Sequence, residues 1–167
     1  KPAIVNRTFG RLQIISSAWF ALTHGANDGQ KTMGIIVLIL FSVGLIEELE
    51  MPLWVIFAAA AAMGLGTFFG GYKVIKTLGV KVTRLKPYQG FAAETSGGLM
   101  LAVFATLGIP ASTTHAITGT IMGAGAARRK RAVRWRVSRQ IIFSWVITIP
   151  GAAGLGIAFT YIIHLFV

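Results

Sequence analysis

Apolar residues dominate the chain in long runs, at 12–45, 52–72, 88–107, 112–127 and 140–167, with short polar clusters between them. A helix rises about 1.5 Å per residue, so about 20 residues cross a 30 Å hydrocarbon layer. Residues 52–72 and 88–107 match one crossing each. Residues 12–45 would reach about 50 Å as one straight helix, and their middle reads His24, Gly25, Ala26, Asn27, Asp28, Gly29, where the pattern predicts a helix break. Residues 112–127 cover only about 24 Å and follow Pro110, which makes them a short half-helix or one arm of a re-entrant pair with 88–107. Pro150, Gly151, Gly154 and Gly156 in the last run point to ordinary packing, with a kink or tilt as the alternative. The expected fold is an all-α, polytopic transmembrane helical bundle with broken or re-entrant helices, forming a single domain over residues 1–167.

Composition agrees with a membrane-embedded chain. Of 167 residues, 54% are hydrophobic, and the 16 basic and 5 acidic residues make 13% charged, about half the usual share of 25%. The mean hydropathy of +0.71 argues against both disorder and a nucleic-acid-binding domain. Cysteine is absent, which removes disulfides, thiolate metal sites and a cysteine nucleophile. The chain starts at Lys1 and carries no signal-peptide pattern, so a piece of a longer chain is expected.

The net charge of +11 is carried in blocks. Lys1, Arg7 and Arg11 form one, residues 73–86 a second, and the Arg128 to Arg139 loop a third, while Glu47, Glu48 and Glu50 stand between apolar runs. Excess Lys and Arg mark cytoplasmic loops, so the basic blocks are expected inside, the acidic loop outside, and the C-terminus external. Apolar spans flank the arginine loop, which favours contact with anionic lipid heads and expects no nucleic-acid partner. The small-xxx-small pairs Gly66/Gly70 and Gly119/Gly123 are expected to make close helix contacts within the bundle, with a homodimer seam as the alternative.

Only Asp28, Lys31 and Glu94 place charge inside apolar sequence. A carboxylate there costs about 2.5–3.5 kcal/mol even on the lenient insertion scale, so Asp28 needs a partner or a water-lined cavity. Unwinding at Gly25 and Gly29 would expose carbonyl groups beside the Asp28 carboxylate and the Asn27 amide, a hard-oxygen set suited to sodium or a proton. In Ile109 to Gly119, Pro110 disfavours helix at Ile109 and Ser112 is a favoured N-cap, so a helix is expected to begin there with Thr113 and Thr114 in its first turn. Its free N–H groups, dipole and hydroxyls suit a tetrahedral oxyanion, with a plain cap as the alternative. Glu94 is a candidate cation ligand, proton carrier or partner for Lys31, and the role of His115 stays open. Interrupted apolar segments of this kind mark transporter binding sites.

Together HGANDGQK and PASTTHAITG, with Glu94 in ETSGG and the basic loop downstream, resemble the sodium- or proton-coupled inorganic phosphate transporter (PiT) family over about residues 12–139. The resemblance implies two inverted repeats around one phosphate and cation site, with this chain as the C-terminal repeat and an N-terminal repeat as its partner. It implies a symporter in the plasma (inner) membrane with no cofactor beyond the coupling ion. Carried over by position, Asn27, Asp28, Ser112, Thr113 and Thr114 are substrate-binding, Asp28 and Asn27 are also candidate sodium ligands, and Glu94 joins the cation-coupling set. Where many repeats of the family read Val-Ala-Asn-Ala after Asn-Asp, this chain has Gly29, Gln30, Lys31 and Thr32. Lys31 is therefore expected to supply near the oxyanion the charge that sodium supplies elsewhere. The alternative places it in an aqueous vestibule, clear of the site. Other functions compatible with the sequence are a sulfate permease of the same family, a membrane hydrolase using Asp28 and His24, and a structural subunit.

Overall fold

The computed structural model describes residues 2–165, of which Pro2 and Ala3 only as backbone. Lys1 of the first basic block, and the end of the last predicted span with the external C-terminus, lie outside them.

Five α-helices make up the described chain: α1 (Pro2–Ser42), α2 (Leu53–Lys76), α3 (Pro87–Thr106), α4 (Thr113–Arg128) and α5 (Trp135–His164). A π-helical segment, Thr77–Val82, continues α2, and a short 3-10 turn, Lys130–Ala132, precedes α5. The protein is an all-α bundle, and Leu53–Val82 and Trp135–His164 are each long and apolar enough to cross a membrane. α5 runs continuously through Pro150.

The break expected at residues 24–29 is absent. α1 is one helix of 41 residues, about 61 Å long at the standard rise. Gly25 and Gly29 permit unwinding without requiring it, and the polar side chains find partners on neighbouring helices while the helix stays intact. No α1 carbonyls are released there for a cation, and Lys31 does not stand at the start of a new half-helix.

α1 and α3 run parallel. Phe9 meets Tyr88 and Phe91, Ser16 meets Glu94, Phe20 lies against Gly97, and Asn27 reaches Leu101. α4 returns antiparallel to α3, with Gln89 Nε2 donating to the Ala124 carbonyl at 2.9 Å near one end and Leu101 packing with Ala116 near the other. Close approach of α1 to α3 depends on glycine, because a methyl group on Gly98 would lie 2.6 Å from the Trp19 ring.

The hairpin base is a packed core. Leu78, Val82, Ala93, Ile121 and Val133 cluster there, and Arg134 N–H donates to the Val82 carbonyl at 2.9 Å. At the opposite end α3 closes in a Schellman turn. Gly108 takes φ +68°, Ile109 N–H donates to Phe104 C=O at 2.9 Å, and Pro110 prevents the helix from resuming. The tip reaches the level of Lys31, whose ammonium donates to the Ala111 carbonyl. Beyond that level α1 continues through residues 32–42, about 16 Å more. α2 passes Gly29 at Met63 and likewise continues outward, to Leu53. The α3–α4 pair therefore ends part-way along its neighbours, as a re-entrant hairpin does.

The glycine pairs depart from expectation. Gly66, Gly70, Gly119 and Gly123 have no atom within 4 Å of a would-be side chain, so they form no close contact within the described chain. The tightly packed glycines are Gly90, Gly97, Gly98 and Gly125.

Candidate functional site

Asp28 lies on α1 one helical turn after His24 and just before Lys31, so the three side chains share one face. Thr113 Oγ1, in the first turn of α4, donates to Asp28 Oδ2 at 2.9 Å. Lys31 Nζ lies 3.4 Å from Asp28 Oδ1 and also donates to the Ala111 carbonyl, while His24 Nδ1 stands 3.4 Å from Oδ2. His24 is stacked on Phe20, with ring centroids 6.1 Å apart. The carboxylate is thus met by a hydroxyl, an ammonium and an imidazole, which offsets the cost of placing it in apolar sequence.

Asn27 is buried and turned toward α3. Its Nδ2 donates to the Thr23 carbonyl at 2.9 Å and to Leu101 C=O at 3.2 Å. It lines a cavity of about 210 Å³ with Gln30, Lys31, Ala105, Gly108 and Pro110, directly beside the hairpin tip. Irregular backbone at membrane depth persists where it borders a cavity or is buried in protein, and residues 107–112 satisfy that condition.

The α4 N-terminus forms as the sequence predicts. Ser112 is the N-cap, its Oγ accepting from His115 N–H at 3.3 Å. Ser112 and Thr114 are exposed, whereas Thr113 is buried and committed to Asp28. Among the described residues the N–H groups of Thr113 and Thr114 have no acceptor. Two free donors, the exposed Thr114 hydroxyl and the dipole end therefore gather two to three residues beyond the carbonyl that Lys31 holds. His115 contributes its ring to a different contact, 3.8 Å between centroids from Trp145 of α5.

Glu94 is not part of this cluster. Its Oε2 accepts from Ser16 Oγ at 2.5 Å and its Oε1 from Gln13 Nε2 at 3.4 Å, beside a cavity of about 280 Å³ lined also by Gly10 and Ser17. Ser16 precedes Asp28 by 12 residues, about 18 Å along α1, so of the three roles open to Glu94 the pairing with Lys31 does not form. The structure adds Ser16, Gln13 and the Ala111 carbonyl to the polar groups that partner the charges in apolar sequence. No motif marked them, because a serine, a glutamine and a peptide carbonyl are common residues whose partners lie 78 to 81 positions away.

The Asn-Asp and Ser-Thr-Thr motifs, 85 positions apart, thus meet through one hydrogen bond. A family model described as the phosphate transporter family matches residues 1–156. The chain belongs to the phosphate transporter family. Similar relatives of this family include a probable low-affinity inorganic phosphate transporter of Rhizobium meliloti, 52% identical over 153 residues, covering 91% of this chain and 46% of that protein. One with the same description from Bacillus subtilis is 40% identical over 164 residues, covering 98% of this chain and 49% of that protein. A solved structure described as the sodium-dependent phosphate transporter matches with a TM-score of 0.76 at 34% identity, covering 87% of this chain and 37% of that one. The chain spans about half the length of the curated relatives it matches. These are integral-membrane transporters rather than enzymes, which sets aside the hydrolase reading of Asp28 and His24.

Proposed function

We propose that this chain is one repeat of a symporter that moves inorganic phosphate across the plasma membrane, coupled to a cation, by alternating access. The observation that carries the reading is the 2.9 Å hydrogen bond from Thr113 to Asp28, which joins the helix-start motif to the intramembrane carboxylate at the tip of a re-entrant hairpin. Phosphate is received by the free N–H groups of Thr113 and Thr114, with the hydroxyls of Ser112 and Thr114 and the Lys31 ammonium beside them. Asn27 borders the adjoining cavity, and Glu94 is a separate station for the coupling cation, a proton or sodium, on the path along α1.

A second repeat of the same transporter, inverted in the membrane, completes the site. The basic loops face the cytoplasm and the C-terminus the exterior, in keeping with the charge distribution. The open faces of Gly66/Gly70 and Gly119/Gly123 are available to that repeat or to a second copy.

The test is labelled-phosphate uptake into proteoliposomes by the intact transporter that contains this chain, with sulfate as competitor. Saturable uptake that sulfate does not displace supports phosphate symport. Uptake that sulfate abolishes at equal concentration transfers the reading to sulfate. Residues 1–167 reconstituted alone are expected to show no saturable uptake unless two copies pair to rebuild the site.

A further inference from the structure

The Lys31 ammonium sits where a small cation would be expected. It is held between a carboxylate oxygen, Asp28 Oδ1 at 3.4 Å, and a backbone carbonyl, that of Ala111. Carboxylate and peptide carbonyl are the hard oxygen donors that bind sodium-like ions. The remaining carboxylate oxygen, Oδ2, already takes the Thr113 hydroxyl and faces His24. A sodium ion added here would approach a fixed positive charge at contact distance in a partly screened setting, and the two repel. The other acid at membrane depth, Glu94, is bonded to Ser16 and Gln13 and offers Lys31 no alternative partner.

The ammonium also has capacity left over. Three N–H donors are available and two have acceptors, so one remains for an anion arriving at the cavity that Lys31 lines. An asparagine at this place would offer a neutral oxygen instead of a charge. It would leave room for a mobile cation.

We infer that Lys31 is a tethered cation that takes the place of a coupling sodium beside Asp28, so that phosphate binds this half of the site without sodium. The inference rests on the phosphate reading of the site and specifies which cation that site does not use. It distinguishes this chain from the solved neighbour described as sodium-dependent.

The experiment measures equilibrium binding of labelled phosphate to the intact transporter in sodium chloride and in choline chloride, for wild type, Lys31→Arg and Lys31→Asn. Equal wild-type affinity in the two media is expected, and Lys31→Arg retains that indifference. Lys31→Asn is expected to lose at least about tenfold in affinity in choline, the effect of removing one charge-assisted contact, and to recover it in sodium. A wild type that binds phosphate only in sodium overturns the inference, as does a Lys31→Asn protein unaffected in choline or not rescued by sodium. If Lys31→Asn does not fold, the wild-type comparison decides alone. A wild type that binds phosphate in neither medium defeats the phosphate reading itself, which separates the two failures.

Discussion

The two ends of the α3–α4 hairpin are held by different physics. At the base, Val82, Ala93, Ile121 and Val133 cluster as buried apolar side chains, and a backbone hydrogen bond from Arg134 to Val82 joins the loop before α5 to the π-helical segment. At the tip the links to α1 are polar: Thr113 to Asp28, Lys31 to Ala111 and Asn27 to Leu101. Apolar packing is non-directional and persists whatever ion is present, whereas polar links through a charged cluster can be exchanged for a ligand of the right charge. The base therefore anchors the hairpin, and the tip is where, on the proposed reading, an anion competes with the protein's own bonds.

The sharpest attempt to break this comparison is Asp28→Asn. Loss of the carboxylate removes the charge that pairs with Lys31 and leaves Thr113 only a neutral amide oxygen, and coupled phosphate uptake is expected to fall by about a hundredfold or more while membrane insertion is retained. Unchanged uptake with unchanged cation dependence would remove the tip from the mechanism. Next in size, Thr113→Val keeps shape but deletes the donor to Asp28, which is expected to weaken phosphate binding by about tenfold, equivalent to a hydrogen bond to a charged group of about 1.5 kcal/mol. Equal binding would mean that the two motifs touch without cooperating.

The base responds differently. A side chain added at Gly125 would lie 3.0 Å from the Thr83 hydroxyl and 3.1 Å from a Val133 methyl, so Gly125→Val overpacks the core. The expected cost is about 1–3 kcal/mol of stability, read by thermal unfolding, with phosphate affinity per folded molecule unchanged. A shift in affinity without loss of stability would erase the distinction between the ends. The smallest effect is expected for Ser112→Ala, which removes a cap of about 1 kcal/mol. Because the N–H donors of Thr113 and Thr114 persist, a several-fold rise in half-saturation is expected. No rise would confine Ser112 to capping.

The helix positions were legible from composition and length. All five apolar runs became helices, and Ser112 caps α4 because Pro110 and a hydroxyl residue leave few other solutions. The supposed break was misread for an instructive reason. A polar cluster inside apolar sequence looks unsatisfied locally, but Asn27 and Asp28 are satisfied by Leu101 and Thr113, which only the folded chain brings near. Glycine was misleading in the same way. Gly66 and Gly70 carry a recognised packing pattern yet face open space within the described chain, while Gly125, with no such pattern, receives Thr83. Glu94 was singled out as a charge inside apolar sequence, but its partners on α1 could not be read from spacing.

The claim that the α4 N-terminus receives phosphate is tested most directly at Thr114, exposed beside the free N–H groups. This chain contains no cysteine, so Thr114→Cys adds a unique thiol to it. The rate of its alkylation in the intact transporter, with Glu47→Cys in the exposed polar loop between α1 and α2 as a reference, measures occupancy of the site. Phosphate is expected to slow alkylation at position 114 in a saturable manner and to leave position 47 unchanged. Alkylation of position 114 that is indifferent to phosphate, in a protein still able to take phosphate up, would contradict the account.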